Sequence, residues 1–201
     1  MKKILLSLLC SSCLLNLSAQ FGPETVQRFG IKAGVQYGLM NFNAKSPSIT
    51  SPVATSWKQG FYIGGLLQIP VIGRLSIQPE YRYTLKPGED LEKRVSYNLH
   101  YLSLPVLLRI AFWERFALLA GPEAGLLIHA SKKENGTVAG FTHETEERAL
   151  WVVGGLEAKI AGSFYAEARY QHGLNYVGFY QRSDPREFKW RSVEVGVEYR
   201  W

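Results

Sequence analysis

His172 and Asn175, in the run Gln171-His172-Gly173-Leu174-Asn175, form the pair best placed to do chemistry in this chain. An imidazole beside a carboxamide suits acyl transfer, in which the histidine takes the proton of an attacking hydroxyl. No hydroxyl stands between the two, where Gly173 and Leu174 lie, and Ser183 has no spacing that brings it to the histidine. No catalytic residue is therefore assigned, and His172 reads as a histidine at a strand–loop boundary. His100, His129 and His143 share no metal-ligand spacing, so no metal site is expected. No glycine-rich phosphate loop stands beside a strand–helix switch, and no cofactor is expected.

His172 sits in a chain dominated by period-two alternation, the repeat of a β-strand. Phe29, Ile31, Ala33, Val35, Tyr37 and Leu39 alternate with Gly30, Lys32, Gly34, Gln36 and Gly38. Similar runs follow at Phe61–Ile69, Leu75–Thr84, Asn98–Ile110, Leu118–Leu126, Leu150–Ile160, Phe164–Gln171 and Ser192–Trp201. Eight strands of about nine to twelve residues have the length that crosses a bilayer at a tilt. Pro105 and Pro122 fall within strands, where a missing N–H marks a bulge or irregular pairing. The links alternate strictly. Pro70–Arg74, Ala111–Glu114 and Ala161–Ser163 are short, whereas Asn41–Gln59, Lys86–Ser96, His129–Arg148 and Gly173–Trp190 are long and polar. Tight turns on one side and longer loops on the other are the asymmetry of an outer-membrane barrel, and an even strand count leaves both termini at the turn side.

The first residues, MKKILLSLLCSSCLLNLSAQ, show two lysines, an apolar run and the small pair Ser18–Ala19. This is the order of a secretory signal peptide, residues 1–19, with the barrel domain over 20–201. Both cysteines, Cys10 and Cys13, fall in the signal, so thiolate sites and disulfides are excluded from the mature chain. The 201 residues are 46% hydrophobic and 20% charged, which excludes a disordered chain. Net charge is +6, and losing Lys2 and Lys3 lowers it to about +4. A charge this small and dispersed gives no support to a nucleic-acid partner.

The placing of aromatic residues favours lipid against the apolar face. On the apolar phase, Phe29, Phe116, Phe164 and Trp201 collect at one level and Tyr37, Phe61, Tyr83 and Tyr170 at the other, as two interfacial girdles. On the opposite phase Glu80, Glu123, Glu157, Glu167, Glu194 and Glu198 are matched by Lys32, Arg82, Arg109, Lys159, Arg169 and Arg200. Such a balance suits a closed lumen in which buried charges pair. Inward glycines, among them Gly34, Gly64, Gly121, Gly125, Gly155 and Gly196, leave room for these long side chains. A soluble lipocalin-like ligand-binding barrel would use the same alternation with its faces reversed.

The segments FGIKAGVQYG, RLSIQPEYRYT, YLSLPVLLRI, LLAGPEAGLL, YAEARYQHGL and EVGVEYRW, taken in order, resemble a small outer-membrane β-barrel of the PorT-like or OmpX-like type. The resemblance implies an all-β, eight-stranded antiparallel up-and-down transmembrane barrel in the outer membrane, with a structural or surface-interaction role and no open pore. Outer-membrane lipid and lipopolysaccharide are its implied surroundings. The closing strand, ending in Trp201, resembles the signal read by the outer-membrane barrel assembly machinery. The external loops are where a protein partner is expected, since loops on a rigid scaffold are free to vary. Small barrels that deacylate lipid A carry a His-x-Ser-Asn element, which His172 and Asn175 match and Leu174 does not. A lipid-A-modifying enzyme working through His172 is the alternative reading.

Overall fold

Alternating side chains carry the strands beyond the thickness of a membrane. A computed structural model describes residues 26–42, 54–91, 94–134, 136–140, 142, 145–179 and 186–201. The signal segment 1–19, His143 and Ser183 lie outside the described residues. The strands are β1 (Arg28–Phe42), β2 (Lys58–Ile72), β3 (Leu75–Asp90), β4 (Val95–Ala111), β5 (Phe116–Glu134), β6 (Thr137–Gly140), β7 (Arg148–Ala161), β8 (Phe164–Gly173), β9 (Val177–Phe179) and β10 (Arg186–Arg200). Eight of them form an antiparallel meander in the order β1-β2-β3-β4-β5-β7-β8-β10, and β10 pairs back onto β1. This seam runs from Gly30 opposite Arg200 to Phe42 opposite Phe188. Closure leaves no free edge among these eight strands, which is what allows them to stand in hydrocarbon.

The start of β1 at Arg28, the last residue Trp201 and the tight turns share one end, here the turn end. Gly73 and Gly162 turn the chain there with φ of 55° and 52°. That left-handed conformation suits a short hairpin connection, and glycine adopts it without steric cost.

The opposite end, here the loop end, departs from the long polar links read from sequence. β3 runs on to Asp90 and β4 begins at Val95, so the Lys86–Ser96 link is mostly paired strand. Lys86, Gly88, Asp90, Val95, Tyr97 and Leu99 keep the inward phase throughout, so the pleat has reason to continue. Likewise β6 pairs with the far end of β5, and β9 with the start of β10.

The proline expectation holds as irregular pairing and not as a bulge. The β3–β4 pairing lapses opposite Leu104–Pro105 and the β4–β5 pairing opposite Gly121–Pro122, with register kept on either side, while the one register shift of β4–β5 lies between His100 and Tyr101. His100 stands opposite His129 and Tyr101 opposite Leu127, so Ile128 is the extra residue. The bulge shifts the phase of β5 so that Leu127 and Ala130 face inward while Ile128 and His129 face outward.

The apolar phase is on the outside. Ile31, Ile63, Leu104, Leu156 and Val197 are each at least half exposed, and Phe29, Phe164 and Trp201 are exposed below them at the turn end. Tyr37, Phe61 and Tyr170 are exposed at the other level, where Phe61 rests against Tyr83. Continuous apolar cover between two aromatic belts matches a bilayer and is far larger than water tolerates on a soluble protein.

Candidate functional site

Because alternate residues point inward, every strand of the closed sheet except β2 delivers at least one charged side chain to the lumen. These meet in one layer spanning the middle and turn-end part of the barrel. Lys32 of β1 reaches Glu80 at 3.2 Å, Glu167 at 2.7 Å and Glu198 at 3.0 Å. Arg169 of β8 donates two hydrogen bonds to Glu80, of 2.9 and 2.6 Å. Arg82 joins Glu123 at 2.5 Å and Glu194 at 2.7 Å. Arg200 holds both Glu157 and Glu198, and Arg109 reaches Glu157 at 3.0 Å.

Burial makes this pairing necessary, because an unpaired ion in a dry interior costs several kcal/mol. Tyr62 sits at the hub. Its hydroxyl donates to Glu167 at 2.7 Å, and its ring lies 5.0 Å beneath the Arg82 guanidinium and 5.8 Å from the Lys32 ammonium. Gly34 and Gly196 stand opposite each other on β1 and β10, and a Cβ on either would collide with the Tyr62 hydroxyl.

All six glutamates read as inward from sequence are buried in this layer. The cation list needs one correction. Lys159 is only half-buried, near the turn end, whereas Lys86, read as part of an external link, is fully buried. Lys86 donates to Gln36 at 3.2 Å and Gln171 at 2.5 Å. Its ammonium stands 4.8 Å from the Trp151 ring and 5.5 Å from the Trp190 ring. An ammonium over aromatic faces gains from their quadrupoles when water is excluded.

Lys86 marks the floor of a second layer that was not anticipated. Met40, Tyr97, Leu99, Tyr101, Trp151 and Phe188 belong to a buried apolar cluster filling the loop-end part of the lumen. Tyr97 stacks on Phe179 at 4.9 Å and Tyr101 meets Trp151 edge-on at 5.3 Å. Inward Gly38 and Gly125 let the Trp190 and Trp151 rings lie against the wall. The sequence signal was present in Val95, Tyr97, Leu99 and Tyr101, an apolar alternation in the phase opposite to Leu102, Leu104 and Val106.

Above the belts, Glu89 accepts from Lys58 at 2.6 Å and Ser56 at 2.7 Å. The bond from Lys58, and then that from Ser56, holds the Glu89 carboxyl below its usual range. Outward basic groups gather at this level, with Arg148 and Arg191 exposed and Lys189 lying 4.7 Å over the Tyr176 ring.

The acyl-transfer pair is not assembled. His172 is half-buried on the outward phase of β8, with its ring 6.4 Å from that of Tyr170. The Asn175 carboxamide is occupied with backbone, accepting from Leu150 N at 2.8 Å and donating to Arg148 O at 3.2 Å. Leu174, at the nucleophile position, is exposed. His100 and His129, unrelated by spacing, are brought together across β4 and β5 with ring centroids 5.3 Å apart.

The family described as outer membrane protein beta-barrel domain matches residues 19–177. No curated protein matches the chain in sequence. Among solved structures, the Neisserial surface protein A is similar with a TM-score of 0.54 at 12% identity, over 86% of this chain and 97% of that one. Ail, the attachment invasion locus protein of Yersinia pestis, gives a TM-score of 0.49 at 15% identity, over 87% of this chain and 98% of that one. At 12% identity the likeness to the Neisserial protein shows the fold alone.

Proposed function

Because the chain belongs to the outer membrane protein beta-barrel domain family, we propose that it is a closed, non-conducting and non-enzymatic barrel of the bacterial outer membrane. Its loop-end extensions carry a structural or surface-interaction role. The observation that carries the reading is the Arg169–Glu80 pair, which ties one wall of the lumen to the other. Eight strands enclose an interior that side chains can fill, and here two layers of them do so.

The same proposal extends to the surroundings. A signal peptide over residues 1–19 exports the chain, and the closing strand ending in exposed Trp201 presents itself to the barrel assembly machinery. Trp201 N donates to Phe29 O at 3.0 Å, so this last residue also completes the β1–β10 seam. Arg148, Lys189 and Arg191, outward above the upper belt, offer charge-assisted hydrogen bonds to lipopolysaccharide phosphates. The β5–β6 and β9–β10 extensions hold the surface that a protein partner would meet.

Fractionation of cells producing the protein, with gels run before and after boiling, tests this reading. Outer-membrane recovery with a heat-dependent mobility shift is the expected result. A soluble periplasmic species without the shift would overturn it. Lipid A acylation is expected to be the same with and without the protein. A change in acylation that His172→Ala abolishes would replace the non-enzymatic reading with the deacylase-like one.

A further inference from the structure

His100 and His129 face each other directly across β4 and β5, on the outer surface just above the upper aromatic belt. Neither contributes to the lumen, and both sit at the bulge where Ile128 is displaced. His129 is exposed and His100 half-buried. Their rings are 5.3 Å apart and tilted by 54°. On the far side of His100, the Tyr83 hydroxyl lies 2.5 Å from Nδ1.

We infer that His100 and His129 form a two-imidazole site for a divalent transition-metal ion, with Tyr83 as the positioning residue behind His100. Neutral imidazole is a good ligand for zinc, nickel and copper ions. A metal-bound histidine commonly donates its other ring N–H to an oxygen, which fixes the tautomer and the ring orientation. The Tyr83 oxygen is placed to accept from Nδ1 in this way, leaving the Nε2 lone pair of His100 free for the ion. With Zn–N bonds of about 2.1 Å, two nitrogens on a tetrahedral ion stand roughly 3.4 Å apart. Ring centroids 5.3 Å apart on directly paired residues put the two imidazoles in range of one ion.

Among the described residues no group of three or more His, Cys, Asp or Glu side chains could hold a metal. The site is therefore an open one, in which water or a donor from outside the barrel takes the remaining positions. The bulge is part of its construction. It turns Ile128 and His129 outward together and so keeps His129 on the face where His100 lies. Regular alternation from Leu126 would have sent position 129 into the lumen.

Titration of the untagged, folded full chain in detergent with zinc chloride, followed by calorimetry, reads the site directly. The expected result is saturable binding of one ion per barrel, weakened at least about tenfold in His100→Asn and in His129→Asn, and unchanged in His172→Asn. Zinc should also raise the unfolding midpoint of the parent protein and not that of His129→Asn, since a ligand stabilises only the state that binds it. His129 is exposed, so its variant should keep the heat-dependent mobility shift of a folded barrel. Absence of saturable binding, or binding indifferent to His129→Asn in a variant shown to be folded, would overturn the inference.

Discussion

Arg169 on β8 and Glu80 on β3 stand on opposite walls of the barrel and share two hydrogen bonds, of 2.9 and 2.6 Å. Four strand-to-strand steps separate them in either direction round the closed sheet. A bidentate pair across the diameter braces the cylinder and occupies the space through which an ion would pass. It also places the two charges where neither has water to fall back on. Glu80 takes a further contact from Lys32, so the brace is continuous with the rest of the ion-pair layer.

Breaking the brace on one side should be costly. Glu80→Gln leaves Arg169 short of its counter-charge, and removing one partner of a buried pair typically costs about 3–5 kcal/mol. The double variant Glu80→Gln, Arg169→Met should recover part of that loss, because both charges go together. Urea unfolding of the four proteins in lipid vesicles gives the coupling. Strictly additive losses would mean that the two residues do not act as a pair.

The lipid face makes the opposite prediction from a soluble barrel. Leu104, exposed on β4 between the belts, should not tolerate charge, and Leu104→Arg is expected to destabilise the folded barrel by about 2–4 kcal/mol. Val138→Arg, on exposed β6 at the loop end, should have little effect. Unfolding midpoints in vesicles compare the two. Equal tolerance at both sites would put water against the apolar face.

The apolar layer should be separable from the charged one. Trp151→Ala removes a fully buried ring from the loop-end cluster and should cost about 3–5 kcal/mol. It should not open the lumen, since the Arg169–Glu80 brace lies below it. Unfolding measurements paired with ion-flux assays on the same vesicles check both halves.

Acidification should loosen the link between β2 and the tip of β3. The Glu89 carboxyl is held below its ordinary 4.5 by Lys58 and Ser56, so its folded pKa is the lower of the two states. Such a group stabilises the fold above the unfolded pKa, and the contribution is lost as pH falls through the folded value. The amide protection factors at Ser56–Lys58, taken against the intrinsic rate at each pH, should therefore drop below about pH 4.5, while Glu89→Gln should lose the protection at neutral pH and show no such step. Protection factors in the parent that are flat across this range would contradict the tether.

Much of the fold was legible because alternation is a local signal. Phe29–Leu39 and Val193–Trp201 announce both their strands and their faces, and the six lumen glutamates follow from that phase alone. What escaped depends on register or on the end of the membrane. Lys86 read as loop because polar residues such as Glu89 and Asp90 follow it, yet the pleat runs on to Asp90 and buries it against Trp151 and Trp190. Val95 passed as a loop residue for the same reason. The meeting of His100 with His129 follows from β4–β5 register and a bulge, neither of which spacing along the chain reveals. His172 and Asn175, adjacent in sequence, were separated in role when Asn175 turned to the backbone of Arg148 and Leu150.

Current across a planar bilayer containing the purified, folded protein tests the sealed lumen most directly. Two filled layers predict no discrete channel openings, in the parent and in Trp151→Ala alike. Stable, reproducible single-channel steps from the parent protein, reduced by changes at Glu80 or Arg169, would show that ions pass through the charged layer. The closed-barrel reading would then be wrong.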